Sequence, residues 1–515
     1  MTIENKNKEK MPKQDKTQIY CGPARGYMIA FAAAALLYVI TCAPTILWQD
    51  SGLFVYRIWH NDIQGKLGIA LSHPLYILIG IAVKNIPLGD MAHRINLISA
   101  ISAALAVANL FLLLRLWLDR NLPAAIGAVT LAVSWTFWQH SVIAESYTLY
   151  IAQMLGQLIV LLLYIKTKRT PYLFLLGLLN GLAIANHLWA LFGFACYAVF
   201  LMALFTRKRI RLRYLLPVIL LWLIGATPYL YLIVRSISAT GDIRGTIASA
   251  LFGNEWQGQV LNASLTVKII LENLIFILLN FPTPNLILFF VGLWVLRKTA
   301  PSRAFANIIT AMLILHLLFA FRYTVPDRYS FFLPFYCFVA ILTGLGADAL
   351  LKKANGRKTV IVLLAFSLLP VVAYFFTPKL ARKYYKPLVQ RRQRPYRDEY
   401  AYFLQPWKTG YRGAERFANE ALDTVEQNAI IYAPFTDVHA LLYVQQVKGK
   451  RSDIRIVSDF DMSENAPILN ADTIGDLMKE HPLYVVSTTP RYCPAFILDK
   501  YDFEPAEVVW KVVDK

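Results

Sequence analysis

The sequence predicts a mainly α polytopic membrane protein: a bundle of about 11 transmembrane helices with interfacial helices, and a small extramembrane α/β domain at its C-terminal end. Three observations carry that expectation. Of 515 residues, 57% are hydrophobic and only 16% are charged, where a soluble domain carries about 25% charged residues. Apolar runs approaching the ~20 residues needed to cross a bilayer recur between Tyr27 and Phe376. Beyond Pro378 the composition shifts, first to a basic, Tyr-rich stretch and then to short β-rich runs.

The formal charge of +20 would suit a nucleic-acid partner, but its distribution argues against one. Many basic residues sit in clusters between apolar runs, as in Lys166–Arg169, Arg207–Arg213, Arg297–Lys298 and Lys352–Lys358. Cytoplasmic loops carry such clusters under the positive-inside rule. Membrane topology therefore accounts for much of the charge. The 5 cysteines are scattered without metal-type spacing, so neither a disulfide framework nor a zinc site is implied.

Taken in order, residues 1–26 read as a cytoplasmic basic leader. The first span, Tyr27 to Leu47, has no A-x-A-like exit and no small residue before Cys42, so it reads as an uncleaved anchor with its N-terminus inside. Residues 48–92 form a first external loop. It contains the amphipathic "SGLFVYRIWHN" and "HPLYILIGIAVKNIPLG", a short membrane-hugging segment in which His73-Pro74 sets a turn.

Span two (His93 to Trp117) then returns inward, span three (Pro123 to Trp138) goes out, and span four (Tyr147 to Ile165) comes back. Spans five and six meet outside near "ANHLW", and span seven (Tyr214 to Val234) exits at Arg235. An external segment from 235 to 283 holds a second interfacial helix. Spans eight to ten alternate through "RKTAPSR", "FRYTVPDRYSF" and "LKKANGRK", and span eleven (Thr359 to Phe376) leaves the remainder outside. The expected divisions are a transmembrane domain over 27–376, a basic juxtamembrane linker over 377–409 against anionic headgroups, and a soluble extracytoplasmic α/β domain over 410–515. This arrangement suggests a bacterial inner-membrane protein with a periplasmic C-terminal domain.

The polar residues on the outer side carry the chemistry. Asp50 ends span one, and Glu145 lies in "FWQHSVIAESYTLY" with His140 nearby, so the two acids emerge on one face. A single acid at a span end is ordinarily an interfacial residue, but ionisable groups gathered at membrane depth mark functional cavities. Arg94, Arg235, Arg244, Arg322 and Arg328 also fall outside, where the topology rule does not require them. They are headgroup contacts or guanidinium forks for phosphate, with Asp327 an orienting partner for Arg322 and Arg328. His73 and His187 serve as helix-breaking or interfacial residues, or as binding groups, and their separation gives no metal motif.

An external acid pair, phosphate-type arginines and a lipid-embedded scaffold suit transfer of a sugar from a lipid phosphate. A carboxylate would deprotonate the acceptor hydroxyl and arginines would stabilise the departing phosphate. Direct displacement with a single base implies inversion.

At these residues the chain resembles the GT-C glycosyltransferases, which place an acid in the first external loop and use lipid-linked sugar donors. More closely it resembles a multi-span family long known only as a domain of unknown function, one animal member of which is a protein O-mannosyltransferase. The segments that carry the likeness are "PTILWQDSGLFVYRIWHNDIQGKLGIALSHPLYILIG", "RINLISAISAALAVANLFLLLR", "FWQHSVIAESYTLY", "GLLNGLAIANHLWAL" and "DVHALLYVQQVKGKRSDIRIV". The resemblance implies Asp50 as the first-loop acid and Glu145 as the second, with His73, Asn186 and His187 at patterned positions. Leu53 stands where that family has a glutamate, and Leu75 where a second proline is common.

The expected activity is transfer of a sugar from a polyprenyl-phosphate donor to a protein or glycan hydroxyl on the outer face. A divalent metal is left open, membrane lipids are partners, and nucleic acid is not. A transporter or flippase of lipid-linked glycans, or a non-catalytic scaffold, is the alternative. A transporter would show paired half-sequences or helices broken at the midplane, and no internal repeat is visible.

Overall fold

Long apolar runs punctuated by basic turns dictate a helical bundle, and the computed structural model has one. It describes residues 18–253, 257–260, 262, 264–323, 325, 327–354, 356–384 and 394–515. The expected leader over 1–26 falls largely outside the described residues, as does part of the expected linker, 385–393.

The helices of the bundle are α1 (Gln18–Thr41), α2 (Gln49–Trp59), α3 (Pro74–Lys84), α4 (Met91–Leu118), α5 (Asn121–Ala132), α6 (Trp135–Ser141), α7 (Tyr147–Thr167), α8 (Pro171–Asn186), α9 (Ala190–Thr206), α10 (Leu212–Thr240), α11 (Ile243–Phe252), α12 (Gln257–Val260), α13 (Val267–Asn280), α14 (Ile287–Thr299), α15 (Arg303–Arg322), α16 (Leu333–Lys353) and α17 (Arg357–Tyr384). Among the described residues 7 helices are long and apolar enough to cross a membrane, or up to 8 if the bent pair α13–α14 is one span. Helices α5, α8 and α9 are apolar but shorter.

Leu216, Ile224 and Val234 on α10, and Val362, Val372 and Phe376 on α17, are exposed. Apolar faces of this extent are stable against lipid rather than water. The chain is an integral membrane protein.

Three expected spans take a different form. The first ends at Thr41 instead of Leu47, because Cys42 to Trp48 run as irregular chain into α2. The third is broken between α5 and α6, where Asn280 Oδ1 accepts the backbone N–H of Thr136 at 2.9 Å. That bond takes up a donor freed at the start of α6. The eighth, α14, joins α13 of the expected external segment at a 114° bend around Phe281–Thr283, where Pro282 and Pro284 remove backbone donors.

Helices α8 and α10 pack with their backbones in near contact. A Cβ on Gly225 would lie 2.5 Å from the Leu178 carbonyl, and one on Gly177 2.6 Å from the Val218 carbonyl. Small residues at such crossings let helices approach closely where no hydrophobic effect drives them together. At the basic rim, Trp117 Nε1 donates to the Thr299 carbonyl at 2.9 Å. Arg120 and Lys352 both pair with the buried Asp348, at 2.8 and 2.6 Å.

The opposite rim carries the C-terminal domain. Its strands are β1 (Ile430–Tyr432), β2 (Arg455–Val457), β3 (Leu483–Val485), β4 (Tyr501–Ala506) and β5 (Val509–Asp514), in the order β2-β1-β3-β5-β4. Strand β1 pairs in parallel with β2 and β3, while β5 runs antiparallel to β3 and β4. The short β1 and β3 are buried throughout, as expected where helices cover both faces of a parallel sheet. Helices α18 (Glu399–Leu404), α19 (Gly413–Thr424), α20 (Phe435–Leu442), α21 (Ile474–Glu480) and α22 (Ala495–Leu498) complete the domain.

One buried apolar cluster runs from the first loop into this domain, joining Trp48, Phe54, Val55, Ile58 and Tyr76 to Phe417, Leu441, Leu442 and Tyr484. Each such side chain contributes on the order of 1.5–3 kcal/mol when fully buried, so the domain is fixed to the bundle through the loop.

Gly225→Leu is expected to lower the melting temperature of the detergent-solubilised protein by several degrees, since overpacking a close contact costs about 1–3 kcal/mol. Gly475→Ala, with nothing within 4 Å of its added Cβ, should leave the melting temperature unchanged; thermal unfolding followed by size exclusion checks both.

Candidate active site

Helix α2 places the first acid. Gln49 enters it with φ 60°, turning the chain sharply after Trp48, and Asp50 sits in the first turn, where the helix dipole favours a carboxylate. Trp48 Nε1 donates to Tyr411 Oη at 2.7 Å, and its ring lies 5.4 Å from that of Phe417. Two residues past Asp50, a Cβ on Gly52 would meet His439 Cβ and the Leu47 carbonyl, both at 2.9 Å. Only glycine lets α2 lie against α20.

Glu145 precedes α7 and is held by its main chain. Its N–H donates to Ser99 Oγ at 3.0 Å, and its carbonyl accepts from the same hydroxyl at 2.9 Å. Next to it, Asn186 Nδ2 donates to the Ser146 carbonyl at 3.1 Å, and His73 Nδ1 donates to the Asn186 carbonyl at 2.8 Å. This bond fixes the His73 tautomer and leaves Nε2 as the acceptor nitrogen.

His73 has φ 48°, a left-handed conformation unusual for a residue with a side chain and imposed between Ser72 and Pro74. The buried Arg57 holds the turn, donating to the Ser72 carbonyl at 2.8 Å and the Leu71 carbonyl at 3.4 Å. His187 stacks on Trp189, with ring centres 3.9 Å apart, and lies 5.0 Å from His73.

His140 Nε2 is 2.9 Å from Ser330 Oγ, and its ring meets Tyr147 edge-on at 4.9 Å. Tyr147 in turn lies 5.5 Å from His187. The loop before α3, the α6–α7 turn, the α8–α9 turn and the segment after α15 therefore meet in one place. Asn186 Oδ1, Trp189 Nε1 and His140 Nδ1 are buried there without a protein partner; buried polar atoms ordinarily have one.

The electrostatics single out three carboxylates. Burial, and then repulsion from Asp327, push Asp50 above the usual carboxylate range. Burial followed by Asp50 and Asp327 raises Glu145, and burial raises Asp327. None of the three has a cation partner among the described residues, so each keeps its proton affinity. Burial pushes His73 down to about 4 and lowers His187 as well, so both rings are neutral hydrogen-bonding groups. Among the described residues no three His, Cys, Asp or Glu side chains are grouped so as to hold a metal ion.

The expected arginines go elsewhere. Arg94 closes the α3–α4 turn, donating to the carbonyls of Lys84, Leu88 and Gly89 at 3.0, 2.6 and 2.7 Å. Arg235 and Arg244 are exposed. Arg322 donates to the Asn262 carbonyl at 3.0 Å, and Arg328 pairs with Glu272. Asp327 is thus no partner for either flanking arginine; it belongs with the acids.

Sequence reasoning also missed Arg57 and Lys408. Burial lowers Lys408 to about 7, and its Nζ donates to the carbonyls of Tyr402 and Gln405 at 2.9 and 3.0 Å. Only the position of Asp327 in an outer loop, shared with the other two acids, could have signalled its role.

Comparison with known proteins agrees with this architecture. Residues 66–211 match the N-terminal domain of the protein O-mannosyl-transferase TMEM260. TMEM260 of Mus musculus is 25% identical over 367 residues, covering 65% of this chain and 51% of the mouse protein. The chain thus spans about half the length of that relative. ArnT from Cupriavidus metallidurans, solved bound to undecaprenyl phosphate, superposes with a TM-score of 0.59 at 14% identity, covering 95% of this chain and 98% of ArnT. Its apo structure gives 0.57 with the same coverage. The chain shares the fold of ArnT.

Gly52→Val should separate α2 from α20 without touching a carboxylate. Limited proteolysis is expected to cut the first loop faster in this variant than in wild type.

Proposed function

We propose that the protein is a GT-C type glycosyltransferase that moves a sugar from a polyprenyl-phosphate donor to an acceptor hydroxyl, on a protein or a surface glycan, at the rim carrying the C-terminal domain. The observation that carries this reading is the trio Asp50, Glu145 and Asp327: half-buried or buried, mutually repelling and unpaired among the described residues. Basic clusters at the other rim support a cytosolic position for it under the positive-inside rule, and in this reading the trio and the C-terminal domain lie on the extracytoplasmic side. The lipid carrier follows the undecaprenyl phosphate with which ArnT was solved, and sugar transfer to a hydroxyl oxygen follows the name of TMEM260, a protein O-mannosyl-transferase.

In this reading Asp50 is the base. Its raised proton affinity lets it accept the hydroxyl proton as the acceptor oxygen attacks the anomeric carbon. The bond to the lipid phosphate breaks on the opposite side, so the sugar configuration inverts and the leaving group departs as the lipid phosphate. Glu145 holds acceptor or sugar hydroxyls beside it, with neutral His73 and His187, Asn186 and His140 around them. Arg322 and Arg328, which flank Asp327, take the departing phosphate by exchanging the Asn262 carbonyl and Glu272 for it, while Arg235 contacts the donor along α10 and Arg94 supports the first loop.

Purified protein supplied with radiolabelled polyprenyl-phosphate sugars and an acceptor extract tests the reading. Asp50→Asn is expected to reduce transfer by roughly 10²–10⁴-fold and Glu145→Gln to reduce it as well. Undiminished transfer in both variants overturns the assignment.

The pH profile adds an independent check. Asp50 works only when ionised, and its pKa is raised, so kcat/KM should fall as pH drops through a value above the ordinary carboxylate range. Asp327→Asn removes a like charge and lowers that pKa, so the acid limb should move to lower pH; a purely structural Asp327 would leave the limb in place.

A further inference from the structure

One short turn of chain, residues 186–189 between α8 and α9, settles which nitrogen of two neighbouring histidines carries the hydrogen. The Asn186 carbonyl can only accept, so the His73 Nδ1 that lies 2.8 Å from it is the protonated nitrogen. The backbone N–H of Trp189 can only donate, so the His187 Nδ1 that it meets at 3.2 Å is bare. Burial keeps both rings neutral, and a neutral imidazole carries one hydrogen. The two rings are therefore opposite tautomers. His73 presents an acceptor at Nε2, and His187 presents an N–H donor at Nε2.

These two outward nitrogens are left unused. Neither Nε2 has a protein hydrogen-bond partner among the described residues, and both residues are half-buried rather than sealed. The ring centres lie 5.0 Å apart with their planes inclined by 34°. One oxygen at an ordinary hydrogen-bond length of about 2.8–3.0 Å from each nitrogen spans such a gap.

Packing fixes the pair and ties it to the acids. His187 is stacked on Trp189 with ring centres 3.9 Å apart, and His73 lies against the ring of Phe54 at 5.7 Å. Ser146 Oγ, 3.3 Å from His73 Nδ1, belongs to the residue after Glu145. Phe54 follows Asp50 by four residues, one turn of α2 and about 6 Å of rise. The pair thus sits beside Glu145 and one helical turn along from the carboxylate assigned as base.

Chemistry decides what such a pair accepts. A hydroxyl is at once donor and acceptor, so a single one satisfies both nitrogens, giving its hydrogen to His73 and taking that of His187. A deoxy carbon offers neither half, an ether offers no donor, and a protonated amine offers no acceptor. The acceptor hydroxyl, which is to be deprotonated, belongs at Asp50 itself. A hydroxyl one turn away belongs to the sugar in transit, on the part of its ring remote from the anomeric carbon.

We propose that His73 and His187 form a two-sided clamp that reads one free hydroxyl of the transferred sugar, remote from its anomeric carbon. The clamp rests on the glycosyltransferase reading and narrows its donor. The sugar carries a neutral hydroxyl at the read position, and sugars that are deoxy, O-methylated or amino-substituted there are rejected.

The test uses the full-length protein and undecaprenyl phosphate carrying mannose, glucose, galactose or arabinose. Each parent is accompanied by analogues in which one ring hydroxyl is replaced by hydrogen, methoxy or amino. Binding to the Asp50→Asn protein, whose clamp is unaltered, is read by competition, and transfer by the wild type is read separately. At one ring position all three replacements should lose on the order of 10²-fold or more, in Kd and in kcat/KM alike. His187→Phe keeps a ring on Trp189 and lacks the N–H. In this variant the parent sugar should lose a similar factor, and hydrogen at the read position should cost nothing further, while penalties at other positions persist.

Binding of none of the four parents, indifference of binding to every replacement, or a penalty that survives in full in His187→Phe would overturn the clamp. So would a position-specific penalty that follows hydroxyls of the acceptor instead of the donor. Hydroxyl-dependent donor binding with no transfer by the wild type would keep the clamp and sink the glycosyltransferase reading. Transfer that tolerates every replacement would do the reverse.

Discussion

Helix α2 is held between two bodies, and the rest of the site depends on that confinement. On one side it meets the bundle and the α3 turn; on the other it meets α19 and α20 through Trp48, Gly52 and the apolar cluster they share. A short helix of 11 residues is marginal on its own in water. Here tertiary packing sets its position, and that position brings Asp50 into the field of Asp327 and Glu145. The ion pairs across the same seam, Lys66 with Asp461 at 2.9 Å and Lys448 with Asp90 at 3.1 Å, are partly exposed and add orientation more than stability.

The acids and the neutral polar groups divide the site between them. Burial raises the proton affinity of all three carboxylates, with Asp327 adding to it at Asp50 and both aspartates at Glu145, while His73 and Asn186 are fixed by main-chain bonds, His187 is stacked on Trp189, and both imidazoles stay uncharged at neutral pH. Fixed dipoles around a charged cluster supply a preorganised polar environment in which charge develops at little reorganisation cost. The left-handed His73, held by Arg57 from beneath, is the strained point of this arrangement, and strain of this kind gathers where geometry has to be exact to a fraction of an ångström.

Much of the architecture was legible in the sequence, because hydropathy and basic loops report directly on what lipid and membrane potential allow. The gathering of acids on one rim followed from the same count of crossings, and the β-rich runs after residue 428 announced the sheet. What stayed hidden depends on tertiary partners. Nothing local to Ser134 shows that its span breaks there, since Asn280 supplies the compensating bond. Arg94, Arg322 and Arg328 could be assigned to a side but not to their carbonyl and carboxylate partners. Arg57 looked like one charge on an amphipathic helix, yet it is buried against three backbone carbonyls. Leu53, the position where the resembled family carries a glutamate, lines a small cavity beside Arg57, Asp62, Lys66 and Asp461, which no reading of the position alone would reveal.

The order in which the shared core is made sets a schedule. Residues 46–58 are synthesised early, while their packing partners at 414–456 emerge only after the last span has been inserted. Until then Asp50 sits on an unsupported helix, away from the geometry that couples it to Asp327. The half-made protein therefore lacks the arrangement of acids that the finished fold holds together. That arrangement is complete only once the final domain packs against the first loop.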